Sequence, residues 1–343
     1  MKTLFYSVQD FERNYLNKAN TGHDIHMKED RLNTASAVLA NGYEAVSAFM
    51  NDDISAAVIE QLHASGVKYI TIRAENYDNI DIQAAKAHNI RIAHVPTTLP
   101  HSVAEHSMAM ILALNRKLLL ANKQVHEYNF SAGSLIGTDL YGKTVGIVGT
   151  GKVGCIMAQI LHSFGCQLLA FDEKKNTLLE TRYKIKYVSF DHLLEHSDII
   201  TLHIALNDRT HNMIDGNAID KMKKGVMLIN TSRGSLVNTR EVIRGLDNGT
   251  IAFFGTDVYE QERGLFFYDY SEHPAKYDVL LNQLLNRNNV LITPHHAFAT
   301  NETLQHTAQA TFHNLDCWQK NIHNANEITG NTSYSNIHPD ALI

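Results

Sequence analysis

The chain has little cysteine, no excess of positive charge and no long apolar run. Its three cysteines in 343 residues, Cys155, Cys166 and Cys317, are an odd number without C-x-x-C spacing. Neither a disulfide framework nor a thiolate metal centre is expected, and a reducing compartment is. A formal charge of −6 and a pI near 6.4 speak against nucleic acid or an anionic membrane as partner. The opening "MKTLFYSVQD" breaks its apolar run within a few residues, so neither a signal peptide nor a membrane span is expected there and a cytoplasmic protein is. Repeats, low-complexity tracts and disordered linkers are absent too. Twenty histidines are many, but they are scattered, as in "HDIH" (His23, His26) and "EHS". No histidine pair is read as having the helical ligand spacing of H-E-x-x-H, so no metal site is expected and a metal-dependent hydrolase is set aside.

What is present is 44% hydrophobic and 19% charged residues, the balance of a soluble globular enzyme, in a length that suits two domains of about 150 residues each. In the first hundred residues "KTLFYSV", "EAVSAFM", "VKYITIRA" and "IRIAHV" read as short strands, with "ISAAVIEQLHASG" and "NIDIQAAKAHN" as helices between them. Such alternation implies a parallel sheet with helices on both faces. From Ser102 to about Tyr128 the pattern predicts one long helix behind Pro100. Its early part is apolar nearly all round (Met108, Met110, Ile111, Leu114), and is therefore buried in a core or against another subunit. Beyond "LYGK" the strand candidates are "TVGIVG", "QLLAFD", "DIITLH", "VMLINTS", "IAFFGTD" and "NVLITPH", separated by helical stretches. Six such strands match a doubly wound nucleotide-binding sheet, which takes ligands beyond the carboxyl ends of its strands. After Thr300 a last helix, "NETLQHTAQATFHNLDCWQK", loosens into a polar tail.

Gly149, Gly151 and Gly154 form G-x-G-x-x-G between the strand "TVGIV" and a helix, and Asp172 ends the next strand 18 residues past Gly154; the dinucleotide fingerprint wants its acid about 20 residues on. Gly149 permits the sharp turn, Gly151 lets backbone N–H groups reach a pyrophosphate, and Gly154 allows close helix packing. Asp172 would accept hydrogen bonds from the adenosine ribose, and its charge opposes a 2′-phosphate, so NAD is favoured over NADP.

The residues just past the later strands should then share one crevice: His203, Thr231 to Gly234, Asp257 with Glu262, and His295. Arg233 offers a planar fork of donors for a carboxylate and its neighbouring keto oxygen. A histidine can deliver the proton as hydride arrives, and Glu262 would hold its tautomer and favour its charged form. Position alone leaves Glu260 open beside Glu262, and His296 beside His295.

Nearly the whole chain resembles the D-isomer-specific 2-hydroxyacid dehydrogenase family, on "AEHSMAMILALNRK", "LYGKTVGIVGTGKVG", "INTSRGSLVNTREVIRGLDNG", "GTDVYEQERGLFF" and "ITPHHAF". The resemblance makes Arg233 the substrate-binding arginine, Glu262 the supporting acid and His295 the acid/base. It carries cofactor contacts to Lys152, Val153, Asp172, Ile204, Ala205, Thr210, Thr231, Ser232 and Asp257, beside the glycines, and a substrate pocket to Asn76, Tyr77, Thr98 and Phe298. It implies two doubly wound α/β domains: a flavodoxin-like substrate domain from residues 1–99 and 297–343, and a Rossmann NAD-binding domain at 100–296. It further implies a homodimer or higher homo-oligomer and domain closure that excludes water. The implied activity is NAD-dependent reduction of a short 2-oxo acid to the D-2-hydroxy acid, pyruvate to D-lactate foremost.

The chain departs from the family pattern in places. Thr98 stands in "VPTTLP" where members acting on lactate usually have tyrosine, and "RAEN" replaces R-x-x-G, putting Glu75 near an anion site and Asn76 where a positive φ is wanted. Ala205 replaces a common proline and Ala299 a common aromatic. A larger 2-oxo acid, of the 2-hydroxyisocaproate or phenyllactate type, is therefore the alternative, and a non-catalytic NAD-sensing binding protein a further one. Formate dehydrogenases pair their histidine with glutamine, so Glu262 speaks against that chemistry.

Overall fold

The computed structural model describes all residues other than 78, 97–98, 273–277 and 330–343. It divides into two units, residues 1–98 with 300–343, and residues 99–299.

In the first unit β1 (Lys2–Phe5), β2 (Asp24–Met27), β3 (Ala45–Ala48), β4 (Tyr69–Ile72) and β5 (Arg91–Ala93) form a parallel sheet in the order β2-β1-β3-β4-β5. This is the flavodoxin-like doubly wound order. Helices α1 (Asp10–Ala19), α2 (Ala56–Ala64) and α3 (Ile82–Ala87) connect the strands. Covered on both faces, the central strands are buried without alternation, and Val46, Ile70 and Ile72 are wholly buried. The C-terminal helix (Asn301–Gln319) returns to this unit, where Phe312 stacks on Phe5 with ring centroids 5.8 Å apart. At the carboxyl ends of these strands Arg73 is fully buried and bidentate to Glu12, at 3.0 and 3.1 Å.

The second unit opens with α4 (Pro100–Asn115) and α5 (Leu118–His126). The long helix expected over 102–128 is thus broken in two. Lys117 at the junction takes a left-handed backbone with φ 49°, which ends one helix and starts the next without glycine or proline. One face of α4 lies on the sheet, where Met110 and Leu114 close over Gly255. Its other face lines an open groove of about 390 Å³, with Met108, Ala109 and Leu112 opposite Ile156 and Ile160.

The remaining elements run β6 (Thr144–Val148), α6 (Lys152–Ser163), β7 (Gln167–Phe171), α7 (Thr177–Tyr183), β8 (Lys186–Tyr187), α8 (Phe190–His196) and β9 (Ile199–Leu202). They continue α9 (Gly216–Lys221), β10 (Val226–Asn230), α10 (Thr239–Asp247), β11 (Ile251–Thr256), α11 (Val279–Leu285) and β12 (Val290–Ile292). All strands pair in parallel, in the order β12-β11-β10-β9-β6-β7-β8. Counted from β6 the order is 3-2-1-4-5-6-7, a Rossmann sheet with one more strand. Its direction of winding reverses between β6 and β9, the switch point at which such sheets bind ligands.

Candidate active site

The loop after β6 sits at that switch point. Gly149 has φ +93°, and a β-carbon there would overlap the carbonyl of His203 beyond β9. A β-carbon at Gly154 would overlap the Gly149 carbonyl, so the first turn of α6 can press onto the loop only with glycine in place. Nothing lies within 4 Å of where a Gly151 β-carbon would stand. Gly151 is the N-cap of α6, no side chain caps that helix, and its first turn begins with Lys152 and Val153. An uncapped helix start behind a glycine cradle fits a pyrophosphate. Asp172, at the end of β7, accepts from the Thr150 amide at 2.6 Å and its hydroxyl at 3.1 Å, and from the Lys174 amide at 2.9 Å. It therefore also orders the loop, a duty its sequence position does not disclose.

Other expected cofactor contacts flank this crevice and carry their own loops. The Thr210 hydroxyl donates to the Ala205 carbonyl at 2.8 Å and accepts from the Asn207 amide at 2.8 Å, pinning the turn that follows Ile204. The hydroxyls of Thr231 and Ser107 on α4 hydrogen-bond at 2.7 Å, and the Ser232 hydroxyl donates to the Leu202 carbonyl at 3.0 Å. The ring of His203 does not join the group. It turns back to the Thr201 hydroxyl at 2.9 Å, and burial pushes it down to about 4, so it stays neutral.

Past β10, the Asn230 side chain holds both ends of the Arg233 turn: its oxygen accepts from the Ser232 amide at 3.1 Å, and its amide donates to the Arg233 carbonyl at 2.8 Å. A β-carbon on Gly234 would overlap the Tyr259–Glu260 peptide. The Arg233 turn therefore lies flush against the loop after β11 that carries Glu262. In that loop Glu262 Oε1 is 2.7 Å from His295 Nδ1, while its Oε2 accepts from the Tyr259 amide at 3.0 Å. Glu260 points elsewhere and accepts from Thr239 at the start of α10. The two positions left open by the sequence are thereby separated, since His296 faces Asp257 rather than Glu262.

His295 has φ 53°, a left-handed backbone costly for a side chain of this size. The wholly buried Asp257 holds it there. The Asp257 carbonyl accepts from the His295 amide at 2.7 Å, and its carboxylate accepts from the His296 amide at 3.0 Å, the Ala297 amide at 2.9 Å and the Thr293 hydroxyl at 2.5 Å. Phe267 and Phe298 place their rings 5.9 and 6.5 Å from the His295 ring. Phe267, Asn230 and Thr293 escaped the sequence reading. Their contributions are a side wall and two clamps, for which no motif exists.

In the first unit Asn76 is exposed and is not among the residues with positive φ, so the "RAEN" turn forms without the left-handed residue expected there. Tyr77 leans on that unit's core, edge-on to His94 at 5.2 Å, and the Glu75 carbonyl bonds the His94 ring at 2.7 Å. Thr98 lies outside the described residues. Two histidine groupings stand close together in space. His192 and His196 stack one turn apart on α8, 4.0 Å between centroids. Ligand atoms of His106, Asp257 and His296 all lie within 4.8 Å of one another.

A glycine loop at the switch point, an acid after the next strand and an acid-backed imidazole on one parallel sheet suit a nicotinamide-dependent dehydrogenase, and the comparisons with known proteins agree. Residues 108–297 match the sequence model of the D-isomer specific 2-hydroxyacid dehydrogenase, NAD binding domain, and the chain belongs to that family, with NAD as its cofactor. Within the family it is most like the D-lactate dehydrogenases. It is 39% identical to the D-lactate dehydrogenase of Escherichia coli, over 96% of this chain and 100% of that one. The solved pyruvate reductase of Chlamydomonas reinhardtii superposes with a TM-score of 0.88 at 40% identity, covering 95% of this chain and 98% of that one. The Aquifex aeolicus D-lactate dehydrogenase complexed with NAD and lactic acid superposes with a TM-score of 0.86 at 30% identity, covering 96% and 100%.

Proposed function

We propose that the chain reduces pyruvate to D-lactate, with His295 as the acid, Glu262 supporting it and Arg233 binding the substrate carboxylate and keto oxygen. The observation that carries this reading is the 2.7 Å pairing of Glu262 with Nδ1 of His295, which leaves Nε2 as the ring atom for substrate. Bound NADH supplies the hydride. A carboxylate on Nδ1 fixes the orientation of the ring, and Nε2–H passes its proton to the carbonyl oxygen as the alcohol forms. In the reverse direction Nε2 takes the proton back. The guanidinium of Arg233 offers two parallel donors to an anionic 2-oxo acid, and the Phe267 and Phe298 rings beside His295 favour an apolar side chain on it.

Gly149, Gly151, Lys152, Val153 and Gly154 are the proposed pyrophosphate cradle and Asp172 the ribose acceptor, with Ile204, Ala205, Thr210, Thr231, Ser232 and Asp257 lining the rest of the cofactor crevice. The unit spanning 99–299 is accordingly the cofactor domain, and the other unit the substrate domain, with Asn76 and Tyr77 assigned to substrate on the family resemblance alone. We also propose a homodimer. Leu118, Leu119, Val125, Tyr128, Phe130 and Ile136 on and after α5 are all more than half exposed, apolar side chains that a partner subunit would cover. Three free cysteines suit a cytoplasmic location.

The deciding measurement is kcat/KM for NADH oxidation with pyruvate, 2-oxobutyrate, phenylpyruvate, hydroxypyruvate and glyoxylate, with the chirality of the product. Pyruvate should lead and yield the D-acid. A His295→Gln variant should lose turnover while NADH still binds. Near-normal rates in that variant, or an L-product, would overturn the assignment.

A further inference from the structure

Beside the proposed acid, two histidines that hydride transfer does not use flank Asp257 of the cofactor crevice. His106 projects from the middle of α4, Asp257 follows β11, and His296 follows β12. His106 Nε2 is 3.6 Å and His296 Nδ1 3.5 Å from the same Asp257 oxygen, Oδ1. The two imidazoles meet edge to face with centroids 4.7 Å apart.

We propose that His106, Asp257 and His296 bind a late first-row transition-metal dication, Zn²⁺ in type, and that the bound ion inhibits turnover. The donor set is two imidazole nitrogens and one carboxylate oxygen, which suits Zn²⁺, Co²⁺ or Ni²⁺ and not Mg²⁺ or Ca²⁺. With bonds of about 2.1 Å, neighbouring ligands of a tetrahedral centre stand about 3.4 Å apart. Two of the three separations already match that spacing, and a small rotation of the His296 ring closes the third.

The carboxylate is also prepared as a ligand. It is 1% exposed, and its orientation is fixed by the Thr293 hydroxyl and the amides of His296 and Ala297. Among the described residues, the cationisable groups within 4.0 Å of it are the two imidazoles, so a dication would neutralise a buried charge that no lysine or arginine meets. An entry path exists, because the His296 side chain is 47% exposed. Inhibition follows from the same contacts. An ion on Asp257 and His296 grips both neighbours of His295 in the turn whose left-handed backbone Asp257 maintains, and stiffens the residue that must move a proton.

The test uses the full chain stripped of metal by a chelator. Co²⁺ titration, read by visible d–d absorption, should saturate at one ion per chain, with Zn²⁺ displacing it and Mg²⁺ not. His106→Asn and His296→Gln should each weaken binding at least tenfold, and His192→Gln should leave it unchanged. In the NADH-oxidation assay Zn²⁺ should inhibit reversibly, and His296→Gln should keep its metal-free rate but lose the sensitivity. Absent Co²⁺ absorption overturns the site, as does binding that survives both ligand variants or fails in His192→Gln. Full activity with the ion bound overturns the inhibition. The titration needs no substrate, so a failure of the proposed reaction would leave it intact as a test.

Discussion

Glu262 and His295 stand 33 positions apart in sequence and 2.7 Å apart in space, Oε1 to Nδ1, with their side chains 16% and 15% exposed. A carboxylate this close and this shielded holds the ring in place, with Nδ1 turned to Glu262 and Nε2 left for substrate. Replacing Glu262 with glutamine keeps a hydrogen-bond acceptor and removes the charge. kcat/KM for pyruvate reduction should then fall at least about tenfold. Steady-state kinetics of the variant check this, and an unchanged kcat/KM would contradict the pairing.

Gly234 tests how the Arg233 turn is placed. A methyl group there would meet the Tyr259–Glu260 peptide, which is backbone and cannot rotate aside. Gly234→Ala should push the Arg233 turn off the Glu262 loop, at a stability cost of about 1–3 kcal/mol. A displacement near 1 Å at a positioning group lowers rate about 100-fold. Steady-state kinetics should show that loss, and an unchanged kcat/KM would mean that the Arg233 turn is placed independently of the Glu262 loop.

Much of this arrangement was legible in the sequence, for physical reasons. The Rossmann strands β6, β7, β9, β10, β11 and β12 were readable because parallel strands buried on both faces are apolar throughout, and their ends expose the functional residues in chain order. Strands β2 and β8 were not. β2 is an edge strand reading "DIHM" with alternate residues exposed, and β8 is two residues long; neither buries enough to leave an apolar signature. The break between α4 and α5 falls at Arg116–Lys117 without glycine or proline, so the helical pattern runs through it. Glu260 and Glu262 looked equivalent because their difference lies in tertiary partners, Thr239 for one and His295 for the other. The His106 contact with Thr293 spans 187 positions and follows no local pattern.

Stability of the first unit should hinge on Arg73, whose guanidinium is fully buried and bonds Glu12, the Ser47 hydroxyl and carbonyl, and the Tyr6 carbonyl. Arg73→Met leaves the Glu12 carboxylate buried and unpaired, a loss of about 3–5 kcal/mol. Thermal or denaturant unfolding of the variant measures it. A change below about 1 kcal/mol would mean that water reaches Glu12.

Asp198 predicts a pH dependence of stability. Burial works to raise its carboxyl, but hydrogen bonds from Lys223 Nζ at 2.6 Å and the Thr144 amide at 2.9 Å outweigh burial and hold it below the ordinary aspartate value. A depressed carboxyl adds stability above its unfolded pKa of about 3.9, and that stability disappears as pH falls through the folded value. Asp198→Asn should therefore lower stability by about 1 kcal/mol at pH 7. The difference from the unmodified chain should shrink below about pH 4; a gap that stayed constant down to acid would rule out the charge as its source.

Asp172 separates two contributions to cofactor choice. Its Oδ2 already serves the Thr150 amide and hydroxyl, so any substitution loosens the glycine loop for every dinucleotide. The charge opposes only a ribose 2′-phosphate. Asp172→Asn keeps an acceptor for Thr150 and removes the repulsion, so NADPH binding should improve while NADH binding weakens severalfold. Asp172→Ala removes both functions and should weaken NADH by about tenfold or more, the scale of one charged hydrogen bond, with a smaller loss for NADPH because relief of repulsion offsets the looser loop. Titrating both cofactors against both variants checks this. Equal losses of NADH and NADPH in the alanine variant, with no gain for NADPH in the asparagine one, would confine Asp172 to ordering the loop and leave cofactor choice to other residues.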